Sequence, residues 1–249
     1  MDRRHITSLV AAIAIALALY HVKNMATAHA ANAALVKDSS VTLKGRVKFE
    51  GALPHPARVT MAAEPSCMKL HPSGIAAEDV VVDPSGGLEN VVVYISDAVS
   101  ASDAPKNEVV FEQKGCMYHP HVLAMQANQT LKIINDDPTM HNIHPLPQNN
   151  REWNKSQPPG VQPVQETFPR EEVAIPIRCN VHPWMKGYIA VFKHPYFAVS
   201  GKDGAFDIKN LPPGSYTLQA WHEKFGTLTK KITVGPEGAG DLELVFKAR

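Results

Sequence analysis

The chain has 249 residues, 44% of them hydrophobic and 20% charged, with a formal net charge of +1. This is ordinary globular composition with room for one large or two small domains, and it holds no basic stripe, which argues against nucleic acid as a partner. Its 20 prolines and 15 glycines favour many turns and short strands over long helices.

Residues 1–33 read as an export signal. Asp2-Arg3-Arg4-His5 is a basic start, Leu9 to Tyr20 is an unbroken apolar run, and Ala28-His29-Ala30 and Ala31-Asn32-Ala33 both fit a small-x-small cleavage site. The run is shorter than the roughly 20 residues that cross a bilayer. A cleaved signal and a periplasmic or secreted protein are expected, with membrane attachment only if the signal stays. Cleavage removes three of the 25 basic and one of the 24 acidic residues, turning the formal net charge to −1.

Val41 to Gly51 alternates, with Leu43, Val47 and Phe49 on one face, and predicts a half-buried strand. Val80-Val81-Val82 predicts a short strand. Val91 to Ile95 is continuous and β-branched, so it is expected to be buried on both faces. After a polar connection over 97–107, strands are predicted at 109–113, 122–125 and 130–134. Asn135-Asp136-Asp137-Pro138 is a turn just ahead of His141. A long Asn-, Gln- and Pro-rich loop is expected over 145–163, then strands at 173–178 and 187–192. Further strands at 205–208, 216–221, 232–234 and 242–246 are separated by Gly- and Pro-bearing turns. Short, evenly spaced strands of this kind indicate an all-β sandwich architecture.

The segment Cys179-Asn180-Val181-His182-Pro183-Trp184-Met185 carries the chemistry. A thiolate, an imidazole and a thioether follow at C-x2-H-x2-M spacing, and these soft or borderline donors suit copper cycling between Cu(I) and Cu(II). A cysteine and two histidines with a long axial methionine form the ligand set of blue-copper sites. The second histidine is expected from another strand, where His141 and His144 are the candidates. Alternation puts His141 and Ile143 on one face and His144 on the other, so His141 is the expected ligand and His144 the alternative. Asn142 is a candidate for orienting the ligands by hydrogen bonds, or is a plain strand-end residue. The bland alternative, a cysteine buried for packing alone, has to account for three donors at loop spacing and an upstream histidine pair.

This loop, together with Met140-His141-Asn142-Ile143-His144, resembles the ligand regions of cupredoxins. Within that family it is most similar to the amicyanin type, which has two residues between the loop histidine and the methionine and an asparagine after the first ligand. The resemblance covers roughly residues 109–193. It implies a Greek-key β-sandwich with one type 1 copper ion held by His141, Cys179, His182 and Met185. It also implies single-electron exchange with a redox partner protein, a c-type cytochrome or a periplasmic dehydrogenase being the kinds expected. In that family the loop histidine reaches the surface through an apolar patch, for which Pro183, Trp184, Pro145, Leu146 and Pro147 are at hand. Trp184 either docks the partner or packs beneath the loop.

Asp203-Gly204-Ala205-Phe206 through Leu211-Pro212-Pro213-Gly214-Ser215-Tyr216-Thr217-Leu218 resembles carboxypeptidase regulatory-like, transthyretin-type β-sandwiches. The piece is too short to be such a domain alone, and its missing first strands resemble Val41 to Gly51 and Val91 to Ile95. The expected organisation is therefore a regulatory-like sandwich in two parts, 41–105 and 195–249, with a cupredoxin domain, 106–194, inserted between them. Pairing of Val41–Gly51 with Tyr216–Trp221 in one sheet would mark the insertion. The alternative is a cupredoxin with an N-terminal extension and a separate C-terminal module.

An electron carrier, not an enzyme, is expected, as a monomer. In multicopper oxidases and nitrite reductases a histidine directly beside the blue-copper cysteine links to a second copper centre, whereas Cys179 is flanked by Arg178 and Asn180. The second loop cysteine of binuclear oxidase centres is also missing. A periplasmic copper-binding or delivery protein with an exchangeable site, and a structural secreted β-protein without metal, are the alternatives.

Three cysteines in an exported chain leave one over after pairing. With Cys179 as the metal thiolate, Cys67 and Cys116 are expected to form a disulfide. The alternative is a second metal site drawing on Cys67, His71, Cys116, His119 and His121, whose spacing matches no zinc pattern. Met61, Met68, Met117 and Met125 are expected to fill the core, and His194 and Trp221-His222-Glu223 to be strand-end residues without a site.

Overall fold

The computed structural model describes residues 40–53, 57–97, 99–240 and 242–248. The export signal expected over 1–33 lies outside the described residues, among which no helix is long and apolar enough to cross a membrane. The chain runs β1 (Val41–Glu50), β2 (Arg58–Val59), α1 (Pro65–Leu70), β3 (Ile75–Ala76), β4 (Val92–Ile95), β5 (Val109–Lys114), β6 (Met117–His119), β7 (Val122–Gln126), β8 (Leu131–Asn135) and β9 (His141–Pro145). It continues with β10 (Lys155–Gln157), β11 (Val164–Glu166), β12 (Glu172–Arg178), β13 (Lys186–Phe192), β14 (Phe197–Val199), β15 (Ala205–Leu211), β16 (Gly214–His222), β17 (Gly226–Val234) and β18 (Leu242–Lys247). The protein is all-β.

Four sheets make two sandwiches. β15-β1-β18 and β14-β4-β16-β17 enclose one core, with Leu43, Val47, Val93, Ile95, Phe206 and Phe246 inside. β10-β9-β12-β13-β7 and β11-β8-β5-β6 enclose the other, around Phe111, Tyr118, Ile133, Ile143, Ile177 and Ile189. β1 pairs with β15 and, in parallel, with β18, not with β16, whose neighbours are β17 and β4. The alternation in β1 made its buried face legible, but edge order depends on non-local partners. At its turn the first sandwich is tight: a Cβ on Gly87 would sit 2.1 Å from the Asp203 carbonyl oxygen.

β4 is buried along its whole length for a specific reason. Val93 and Ile95 face the first core, while Val92 and Tyr94 meet Val122, Ala190 and Phe192 of the second sandwich. The expected strand at 80–82 is only a bridge between Val82 and Leu88. Asp83 draws the chain into a turn there, accepting the backbone N–H of Ser85 and Gly87 on Oδ1. The loop expected over 145–163 holds β10, and β6, β11 and β14 are further short strands that carry little periodicity to read.

The excursion 57–77 also escaped the sequence pattern. β2 and β3 pair through two residues each, and α1 sits between them. Pro65 suits the first helical turn, where its missing N–H costs nothing. The excursion leaves the first sandwich in sequence but packs on the second, burying Met61 and Cys67 in its core. A disulfide joins Cys67 to Cys116, as the cysteine count led one to expect.

Candidate metal centre

β12 runs antiparallel to β9, with Arg178 opposite His144 and Ile177 opposite Pro145. That register brings Cys179, the first residue beyond β12, beside the start of β9. The loop then closes on itself: the Met185 N–H donates to the His182 carbonyl (2.9 Å) and the Cys179 N–H to the Met185 carbonyl (3.2 Å). Local hydrogen bonds thus hold the C-x2-H-x2-M residues on one short turn.

His141, Cys179 and His182 converge, with their ligand atoms all within 4.8 Å of one another and all three side chains buried. The two Nδ1 atoms are 2.9 Å apart and the Cys179 sulfur is 3.7 Å from His182 Nδ1. Met185 is fully buried in the same core as Cys179. His144 is not in the group. It turns outward, with Nδ1 against Asn180 Oδ1 and Nε2 against Glu152, as strand alternation requires.

Hydrogen bonds aim the donors. The Asp137 carboxylate takes the Nε2–H of His141 at 2.8 Å, which leaves the Nδ1 lone pair for the centre. Asp137 is itself fixed by the backbone N–H groups of Gly115 and Cys116, each at 2.7 Å. Asn142 Oδ1 accepts from the Asn180 N–H at 2.6 Å and from the Cys179 thiol at 3.4 Å, while its Nδ2 donates to Asn154 Oδ1. His182 Nε2 is buried without a hydrogen-bond partner among the described residues. The nearest carboxylate oxygen, on Glu64, is 3.7 Å away, beyond hydrogen-bond range. The Trp184 ring lies 5.1 Å from the His182 ring, and its Nε1 donates to the Cys116 carbonyl.

Electrostatics favour a thiolate. Burial pushes the Cys179 thiol up, but the His141 ring and backbone hydrogen bonds at Asn142, His182 and Val181 outweigh it, so its pKa is lowered. Burial opposes the charged form of His141, and the Asp137 and Cys179 partners overcome that, so its pKa is raised. His182 is lowered, by burial first and then by the neighbouring His141 charge. A sulfur shifted toward its thiolate form and two buried imidazoles beside it fit a soft or borderline transition-metal ion.

Cys116, Asp137 and His141 form a second group within 4.8 Å, but the Cys116 sulfur is spent in the disulfide. The rest of the alternative metal set disperses. His119 is exposed, His71 Nε2 meets the Gly115 carbonyl, and His121 is buried against Glu223. Asp137 was missed as an orienting group although the turn containing it was read. Glu64 carried no sequence signal toward His182 at all.

No protein-family model matches the sequence, and no curated protein matches it. Among solved structures, a Cu-containing nitrite reductase (NirK) from Thermus scotoductus SA-01 aligns at 22% identity over 39% of this chain and 25% of that one, with a TM-score of 0.33. This chain thus spans about a quarter of that enzyme's length. A purple cupredoxin from Nitrosopumilus maritimus aligns at 23% identity over 33% of this chain and 97% of that one, TM-score 0.29. The M98A mutant of amicyanin in its Cu(I) form aligns at 19% identity over 40% and 97%, TM-score 0.30.

Proposed function

We propose that this is an exported type 1 copper protein that carries single electrons between redox partners. The observation that carries the reading is the convergence of buried His141, Cys179 and His182, each with a ligand atom within 4.8 Å of the others. Cys179 would hold the ion through its thiolate, His141 and His182 through imidazole nitrogens and Met185 through its thioether. Asp137 holds the His141 tautomer, and Asn142 ties the strand to the loop. Copper bound there supplies a one-electron Cu(II)/Cu(I) couple.

The four donors sit on the second sandwich, which we read as a module inserted into the first. The pairing of β1 with β15 and β18, and of β4 with β14 and β16, supports that reading. Burial of every donor favours a carrier over a delivery protein, since an exchangeable ion needs an exposed ligand for its acceptor to attack. The test is repeated chemical oxidation and reduction of the copper-loaded protein beside a chelator. A carrier returns the same visible spectrum after each cycle with its copper retained; progressive transfer of copper to the chelator favours delivery.

A further inference from the structure

His141, Cys179, His182 and Met185 are each 3% exposed or less. A hydrated ion reaches such a site only through a transient opening, and segments resting on few contacts open at least cost. The outer edge of His182 is faced by an element that belongs to neither donor-bearing strand. Glu64, at the start of α1, puts its carboxylate 3.7 Å from the buried His182 Nε2, and the Ser66 hydroxyl, donating to Glu64 Oε1 at 2.6 Å, holds it there. The base of the excursion 57–77 is a strand pair of only two residues a side, whose Val59 and Ile75 lie against the second core beside the buried Met61. Its tip is fastened to the second sandwich by the Cys67–Cys116 bond and by His71 Nε2 against the Gly115 carbonyl. The anchor point adjoins the centre: the Cys116 sulfur belongs to the group with Asp137 and His141, and the Cys116 carbonyl accepts from Trp184, which flanks His182.

We propose that the excursion 57–77 is a cap that gates passage of the metal ion to and from the centre, with the Cys67–Cys116 bond as its latch. The inference rests on the copper reading above. While both cysteines are thiols the cap swings on its short base and the ion passes beside His182. Closing is a thiol–disulfide exchange with an external protein or small-molecule disulfide. The Cys67 and Cys116 thiols give up two electrons and two protons, the external disulfide is reduced to its two thiols, and the Cys67–Cys116 bond forms. Closure also withdraws the Cys116 sulfur as a competing soft donor next to His141.

The test follows Co(II) uptake by full-length apo-protein through the thiolate-to-cobalt absorption. In the disulfide form, uptake should level off as Co(II) rises, because cap opening becomes limiting. In the Cys67→Ser/Cys116→Ser variant the limiting rate should rise about ten-fold or more, with the same final spectrum. Glu64→Gln, which keeps the latch and removes the charge, should behave as wild type. Equal rates with and without the disulfide would overturn the proposal, as would wild-type uptake that stays proportional to Co(II). So would a Glu64→Gln rate matching the double variant, because charge and not closure would then govern. The wild-type concentration dependence needs no variant to fold. Absence of any thiolate–cobalt absorption in either protein would instead overturn the metal reading itself.

Discussion

Asp137 does three things at once: it accepts the His141 Nε2–H and the backbone N–H groups of Gly115 and Cys116. Asp137→Ala frees the His141 ring to rotate or change tautomer, and copper affinity should fall about 10- to 100-fold in a competition titration against a chelator. His222 gives a pH prediction away from the centre. Burial lowers its pKa to about 4, and its Nδ1 accepts the Lys224 N–H. The folded state therefore keeps it neutral while the unfolded chain takes up a proton near pH 6.5. Its contribution is fully present above that value, is lost as pH falls toward 4, and is flat below. Between pH 7 and pH 5 the loss is about 2 kcal/mol. Between pH 7 and pH 5, urea unfolding should lose about 2 kcal/mol less in His222→Phe than in wild type. At this scale the meeting of Cys179 with His182 was legible because their spacing lies within one turn, and that of His141 because strands alternate. The role of Asp137 and the position of Glu64 were not, since both depend on which distant backbone comes to rest beside them.

Among the elements, α1 shows where pattern reading stops. Six residues with one buried side chain, Cys67, carry no periodicity, so neither the helix nor its place on the second sandwich was predictable. The cysteine count nevertheless gave the bond that holds it. Thiol titration of denatured, unreduced apo-protein should find one free thiol, Cys179, and finding three would contradict the structure. The bond closes a loop with sequence separation 49, and its removal should cost about 4 kcal/mol by loop entropy, read as a lowered urea midpoint. β12 was legible from Val173, Ile175 and Ile177, β9 only through the alternation about His141 and Ile143, whereas β10 was hidden within a polar stretch. Its place is set by Gln157, which is buried, pairs with His141 across the sheet and hydrogen-bonds to Gln113.

Across the whole molecule the two sandwiches share a surface built from Val92, Tyr94, Val122, Ala190 and Phe192. His121 of the second sandwich meets Glu223 of the first there, with both side chains almost fully buried, and Lys186 approaches the other Glu223 oxygen at 3.3 Å. Burial pushes the Glu223 carboxyl up, but His121 and Lys186 outweigh it and hold its pKa down. Glu223→Ala should cost about 1–3 kcal/mol by leaving the buried His121 Nε2 without its hydrogen-bond partner, and calorimetry should then resolve two transitions where wild type shows one. The all-β class was legible from turn density and short strands. The shared surface was not, because the apolar run at 91–95 shows burial on both faces without naming what covers the second face. The measurement that bears most directly on the account is the visible absorption of the oxidised, copper-loaded protein beside three variants. Copper held by His141, Cys179, His182 and Met185 should give an intense thiolate-to-copper band that vanishes in Cys179→Ser, is lost or strongly altered in His141→Ala, and persists in His144→Ala. A colourless wild-type protein, or a band that survives His141→Ala and disappears in His144→Ala, would contradict the account.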